Sequence, residues 1–173
     1  MNFSRLNLRP IALLAATALL SLLIRGTLYA GETDLKLPPL KDQPDGFAGL
    51  KWGDSADKLA DQGLLFGEGS SEQYVVPGDG RTWEGFEIDE MKFSFKKNQL
   101  VMVRLSFAES AKPDSIKEYA MKKYDKPSLE NKRDGVTSYV WNDDVFGVIL
   151  RIRPQSVPEL SLMNHELALA LSF

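Results

Sequence analysis

The chain has 173 residues, of which 21 are basic and 24 acidic, for a net charge of −3, and 43% of it is apolar. That is one domain's worth of chain, with enough apolar material to build a core unaided. It has no cysteine and a single histidine, His165. Disulfides, thiolate metal sites, a cysteine nucleophile, a lipid-modified cysteine anchor and any mechanism needing two imidazoles are thereby excluded.

Residues 1–30 read as a signal peptide. Arg5 and Arg9 give a positive start, and an apolar run from Ile11 to Ile24 is broken only by Thr17 and Ser21. That run is too short for a comfortable membrane span and suits a signal-peptide core. Leu28-Tyr29-Ala30 then offers cleavage after Ala30. Export by this route places the protein in the periplasm or outside the cell, touching a membrane only if the segment stays uncleaved. Cleavage removes Arg5, Arg9 and Arg25 and no acid, leaving 18 basic against 24 acidic residues. Such a domain has no overall pull toward nucleic acid.

Residues 31–46 hold three prolines and alternating charge, the pattern of an extended tether. The folded domain is expected over 47–173. Phe47 to Trp52 is a short apolar, strand-like run, and Gly53 permits a sharp bend. Asp54 is placed to cap a two-turn helix carrying Ala56, Leu59 and Ala60 on one face, with Gly63 as its stop. After a Gly/Ser-rich break, Gln73–Val76 reads as a strand and Pro77-Gly78-Asp79-Gly80 as a turn.

The strongest strand signals follow. Met91, Phe93 and Phe95 alternate with Lys92, Ser94 and Lys96, and Val101, Val103, Leu105 and Phe107 alternate with Met102, Arg104 and Ser106. Joined at Lys97-Asn98, the two runs predict a β-hairpin with one wet face. Burying such side chains is worth about 1.5–3 kcal/mol each, which decides the inward face more strongly than local propensity does. From Pro113 a helix is expected, with Ser115 and Glu118 as a capping box and Ile116, Tyr119, Ala120 and Tyr124 as its apolar stripe. Lys126-Pro127 ends it. Ser128–Gly135 reads as a polar loop. A second hairpin, Val136–Trp141 and Val145–Arg153, turns at Asn142-Asp143-Asp144 with Phe146, Val148, Leu150 and Ile152 inward. Glu159–Met163 and Glu166–Phe173 alternate weakly, and the last of these reads as strand or helix. The whole predicts an α+β domain: a meandering antiparallel sheet with two helices on one face.

Phe-x-Gly-x-x-Trp-Gly-x-Ser at Phe47 to Ser55, the Lys-Phe-x-Phe hairpin, Lys-Lys-Tyr-Asp-Lys-Pro at Lys122 to Pro127, and Tyr-Val-Trp with Val-Ile-Leu-x-Ile resemble a family of small exported α+β proteins of Gram-negative bacteria that open on Gly-x-x-Trp-Gly-x-Ser. The resemblance covers about residues 47–153 and implies fold and export rather than an activity. That family has glycine where Asp125 stands, so here the helix must end differently. More distantly, helix leading into strands is similar to the outer-membrane assembly lipoprotein BamE and to β-lactamase inhibitory protein, which implies binding of protein partners. BamE-type proteins carry a lipid-attachment cysteine, which this chain lacks.

No catalytic motif is recognised, and no cofactor or metal site is expected. Ser55-Ala56-Asp57-Lys58 matches Ser-x-x-Lys without its companion elements. Gly67-Glu68-Gly69 lacks the third glycine of a nucleotide fingerprint. Asn142-Asp143-Asp144 reads as turn chemistry rather than a calcium loop. Trp52, Trp83 and Trp141 read as packing residues. The alternation instead gathers Lys92, Lys96, Arg104, Arg151 and Arg153 on one sheet face, with Met102 and Ile149 among them. Lys92, Arg104, Arg151 and Arg153 are the candidate partner-binding residues, for an envelope protein or an anionic envelope component. The alternatives are a secreted hydrolase or carbohydrate-active enzyme using carboxylates around Glu84 to Glu90, and an inhibitor of a secreted enzyme acting through the Gly78–Gly85 loop.

Overall fold

A computed structural model of the protein describes residues 39–64 and 72–172. The signal peptide, residues 31–38 of the tether, Gly67-Glu68-Gly69 and Phe173 lie outside them. The domain is α+β, and its sheet is antiparallel throughout. The elements in chain order are β1 (Gly46–Phe47), β2 (Leu50–Lys51), α1 (Lys58–Asp61), β3 (Gln73–Pro77), β4 (Thr82–Trp83), β5 (Phe86–Lys96), β6 (Gln99–Phe107), α2 (Pro113–Tyr124), β7 (Leu129–Arg133), β8 (Val136–Asn142), β9 (Phe146–Ile152), β10 (Glu159–Asn164) and α3 (His165–Ala170).

The sheet runs β3-β5-β6-β10-β9-β8-β7, and β4 pairs with the start of β5. The expected single meander is therefore two. The weakly alternating Glu159–Met163 segment enters between them as the central strand, paired with β6 on one side and β9 on the other. Residues directly opposite in antiparallel strands share a face, so the register settles which side chains stand together. One inward row is Val76–Met91–Leu105–Leu160–Leu150–Tyr139, and the next is Tyr74–Phe93–Val103–Leu162–Val148–Trp141. All twelve except Tyr74 are buried. Ile116, Ala120 and Tyr124 of α2 and Leu59 of α1 join the same core cluster. Trp141 and Trp83 are buried and Trp52 packs against that cluster. The three tryptophans thus serve the packing that their positions suggest.

Several local expectations are corrected by neighbours. Phe47–Trp52 is not one strand but a two-residue-strand hairpin turning at Ala48-Gly49, whose φ angles of 51° and 87° suit a tight reversal. Asp54 does not cap a helix; its carboxylate accepts from Lys51 N at 2.9 Å and pairs with Lys58 at 2.6 Å, and α1 is only one turn long. Ser115 forms no capping box. Pro113 occupies the first turn of α2, where its missing N–H costs nothing, so Lys112 is the cap and Ser115 is already helical. Ser128–Gly135 is not simply a loop. Leu129–Arg133 is an exposed, charged edge strand, and Asp134-Gly135 (φ 52° and 77°) turns it into β8. Glu166–Ala170 is helical, in α3.

The tether's described end is not loose. Leu40 N donates to Asp143 Oδ2 at 2.8 Å, and Gln43 Nε2 donates to the same oxygen. Asp42 pairs with Lys123 at 2.7 Å, and Trp52 Nε1 donates to Pro44 O at 2.7 Å. Among the described residues, packing therefore reaches back to Leu40, seven residues before Phe47.

Asp125 ends α2 in a backbone conformation of φ 72° and ψ −153°, a region open essentially only to glycine. Trp141 Nε1 donates to its carbonyl at 2.8 Å, which holds the strained peptide in place. Strain of this kind costs about 1–3 kcal/mol, whereas the extra freedom glycine adds to the unfolded chain costs about 0.4–1 kcal/mol. Asp125→Gly is thus expected to stabilise the domain by about 0.5–2 kcal/mol by urea denaturation; a loss of stability would show that the aspartate side chain, not the backbone, matters there.

Candidate functional site

The outward residues of the same strands build the other face of the sheet, and α3 packs against one end of it, over Gly147 and Lys96. Its middle row is Val75–Lys92–Arg104–Ser161–Ile149–Val140–Leu129, continuous across the seven strands. A second row reads Glu90–Ser106–Glu159–Arg151–Ser138–Asn131. A third holds Gln73, Ser94, Met102, Met163, Gly147 and Asn142. All four candidate cations fall on this face: Lys92 sits directly opposite Arg104, Arg151 opposite Glu159, and Arg153 two residues beyond Arg151 on the same side.

The three arginines gather around one end of β10. Arg153 Nη1 pairs with Glu159 Oε1 at 2.9 Å. Arg104 and Arg151 flank β10 from its two neighbouring strands. Burial and repulsion from Arg104 draw the Arg151 guanidinium below its usual value, with Glu159 opposing and Arg153 adding to the repulsion. Burial alone would raise the Glu159 carboxyl, but the Arg153 hydrogen bond and the charges of Arg153, Arg104 and Arg151 hold it below the usual carboxylate range. Three guanidiniums thus share one carboxylate. Arg104 Nε, Glu159 Oε2, Ser161 Oγ and Ser94 Oγ are buried and find no hydrogen-bond partner among the described residues. The fifth such atom among the described residues, Tyr124 Oη, lies on the core side.

Lys96 leaves this group. It lies at the far end of β5, where Nζ donates to Ala168 O of α3 at 3.2 Å and pairs with the Ser172 hydroxyl. His165 lies at the same end. A side chain at Gly147 would run into its imidazole, so only glycine fits beneath it. Burial lowers the His165 pKa against a weaker opposing pull from Asp143.

The other acidic clusters are occupied by the fold. Glu84 accepts from Tyr119 Oη and from Lys123 Nζ, each at 2.7 Å. Hydrogen bonds from Lys123 and Tyr119 hold its carboxyl below the usual range. Glu90 belongs to the outer sheet row. The Gly78–Gly85 segment is folded back on β5: Gly78 N donates to Asp89 O at 2.7 Å, Ile88 N donates to Arg81 O at 3.0 Å, and Trp83 is buried. Asp143 does turn chemistry, as its position suggests, accepting from Val145 N and Phe146 N at 2.8 and 2.7 Å. Among the described residues, no group of three or more histidine, aspartate or glutamate side chains could hold a metal ion, and no helix is long and apolar enough to cross a membrane.

Two members of the site, Glu159 and Ser161, escape sequence reasoning. The alternation that places them outward is present in Glu159-Leu160-Ser161-Leu162, but nothing local says that this strand lies between β6 and β9.

No family model matches the chain, and no curated protein matches it. Among solved structures it is similar to a DUF4309 family protein (YjgB) from Bacillus subtilis subsp. subtilis str. 168, at 13% identity and a TM-score of 0.46, over 67% of this chain and 82% of that one.

Proposed function

We propose that the protein is a non-catalytic, exported binding module that docks an acidic segment of an envelope protein on the open face of its sheet. The carrying observation is the gathering of Lys92, Arg104, Arg151 and Arg153 on one continuous face of a chain whose net charge is −3. Seven strands at about 4.8 Å spacing make that face about 30 Å across, wide enough to seat a partner. Its chemistry suits a protein better than a uniformly anionic surface. Val75, Ile149 and Val140 stand in the same row as the cations, and Glu90 and Glu159 stand in the next. An acidic chain is repelled as a whole from an anionic surface, whereas a mixed patch can match one of mixed character. Export through residues 1–30 would bring the domain to such partners.

The test is affinity capture from an envelope extract with the wild-type protein and the Arg104→Glu/Arg151→Glu variant. A specific protein partner should be held at about 0.1 M salt and released toward about 1 M, where the Debye length falls from about 10 Å to about 3 Å. The variant should hold it at least tenfold more weakly, a loss of about 1.4 kcal/mol or more. Capture that survives both salt and charge reversal, or that yields anionic lipid or glycan instead of a protein, overturns the reading.

A further inference from the structure

We infer that Arg104, Ser161 and Arg151 form a recess for one carboxylate of an acidic peptide, with Glu159 receiving a peptide N–H from the same segment. The inference rests on the docking role proposed above and names the group that is recognised. Ser161 is 4% exposed and its hydroxyl is unmatched among the described residues, as is Arg104 Nε. Arg104 and Ser161 are direct cross-strand partners on the outer face. Arg151 stands on the other flank of β10, directly opposite Glu159, which is two residues from Ser161.

The charge there is unbalanced. Glu159 pairs with Arg153 through Oε1, and Arg104 and Arg151 feel the same carboxylate only through space, so three positive charges face one negative charge. An oxygen acid admitted beside Ser161 by a swing of the arginine side chains would meet a hydroxyl donor and two guanidiniums. Charge-assisted bonds of this type are roughly twice as strong as neutral ones. Leaving such donors buried and unmatched is costly, so a ligand that satisfies them recovers that cost on binding.

The unmatched acceptor beside these donors identifies the source of the carboxylate. Glu159 Oε2 is a buried acceptor with no partner among the described residues. It calls for a donor next to the incoming anion and repels a second negative charge. A peptide supplies both groups, a side-chain carboxylate and a backbone N–H a few ångströms away. A phosphate dianion supplies only acceptors and brings more negative charge toward Glu159. The flanking Ile149 and Met102 offer apolar contact to the neighbouring residues of such a peptide.

The experiment follows the Arg Nε–Hε and backbone amide resonances of the intact chain during titration with three probes. These are a blocked alanine–glutamate–alanine peptide, its glutamine counterpart, and inorganic phosphate. The glutamate peptide should shift the Arg104 and Arg151 side-chain signals saturably, and the glutamine peptide should not. Ser161→Ala removes a buried, unmatched hydroxyl, so the fold should tolerate it. It should weaken the glutamate peptide about 3- to 10-fold, and Arg104→Gln with Arg151→Gln should abolish saturation, with the backbone spectrum otherwise retained. Unmoved Arg104 and Arg151 signals, or shifts spread evenly over all arginines, would overturn the site. Equal or tighter saturation by phosphate would overturn the peptide as its ligand. The two readings fail separately. If no probe saturates while charge reversal still strips the captured partner, the docking face stands and the carboxylate recess falls. If the peptide saturates while capture is indifferent to reversal, the recess stands and the docking role falls.

Discussion

Asp143→Ala is expected to cost the domain about 3–5 kcal/mol, while Asp143→Asn costs about half as much and frees residues 40–43 selectively. The division follows from the two carboxylate oxygens. Oδ1 accepts from Val145 N and Phe146 N and so closes the β8–β9 turn. Oδ2 accepts from Leu40 N and from Gln43 Nε2 and so ties down the chain that enters the domain. Hydrogen bonds to a charged group are worth about 1.5–3 kcal/mol each, and within one network they do not add fully. Alanine removes both sets. Asparagine retains an oxygen for the turn but presents an amide to Leu40 N, donor against donor. Urea denaturation should report the stabilities, and hydrogen exchange at the Leu40 amide should report the strap. If both variants lose the same stability and expose Leu40 equally, the two oxygens have no separate roles.

The same residue sets a pH dependence. Burial pushes the Asp143 carboxyl up, but the N–H groups of Leu40, Phe146 and Val145 and the Gln43 amide outweigh it and hold the pKa below the ordinary value. A depressed carboxylate contributes stability that is complete above the unfolded value of about 3.9 and is lost as pH falls through the folded one. The gap in stability between the wild type and Asp143→Asn should therefore be constant near neutrality and close below about pH 4. A gap that stays constant on acidification would mean that protonated Asp143 serves the strap as well as the carboxylate does.

The second large effect concerns β10. Leu162→Ala is expected to cost about 2–5 kcal/mol, toward the upper part of the range for buried leucine. Leu162 is 1% exposed and stands directly between Val103 of β6 and Val148 of β9. The cavity is walled by two other strands and has little means of collapsing. Met163→Ala, one residue on and on the outer face, should cost about 1 kcal/mol or less. Urea curves with unchanged slopes would confirm that both values report the folded state. Equal costs for the two would contradict a central position for β10 with Leu162 inward.

What the sequence determined by itself was everything governed by the chain's own period. The inward sets Met91, Phe93 and Phe95, then Val101, Val103, Leu105 and Phe107, then Phe146, Val148, Leu150 and Ile152, are buried as their alternation requires, except that Ile152 is half-buried against the core. Of the apolar stripe Ile116, Tyr119, Ala120 and Tyr124 of α2, all but the half-buried Tyr119 are buried for the same reason, at the helical period. These patterns are legible because side-chain direction repeats every two residues in a strand and every 3.6 in a helix, whatever the neighbours are. The common face of Lys92, Arg104, Arg151 and Arg153 followed from that rule as well, once the hairpins were assumed to share a sheet.

Tertiary structure decided which strands are neighbours. The weak alternation of Glu159–Asn164 does not advertise a central strand, yet its place between β6 and β9 brings Glu159 and Ser161 among the arginines. Leu129–Arg133 reads as loop because an exposed edge strand needs no apolar side, although the Asp134-Gly135 pair is a hairpin signal. Asp143 reads as a turn residue and is one; its second task depends on Leu40 and Gln43, about a hundred positions away. Helix starts were misplaced where a cap competes with a fixed backbone, as Pro113 does against Ser115. Periodicity is a property of one segment and can be read from it, but partners across a sheet are chosen by the energy of the whole core, and no single segment records that choice.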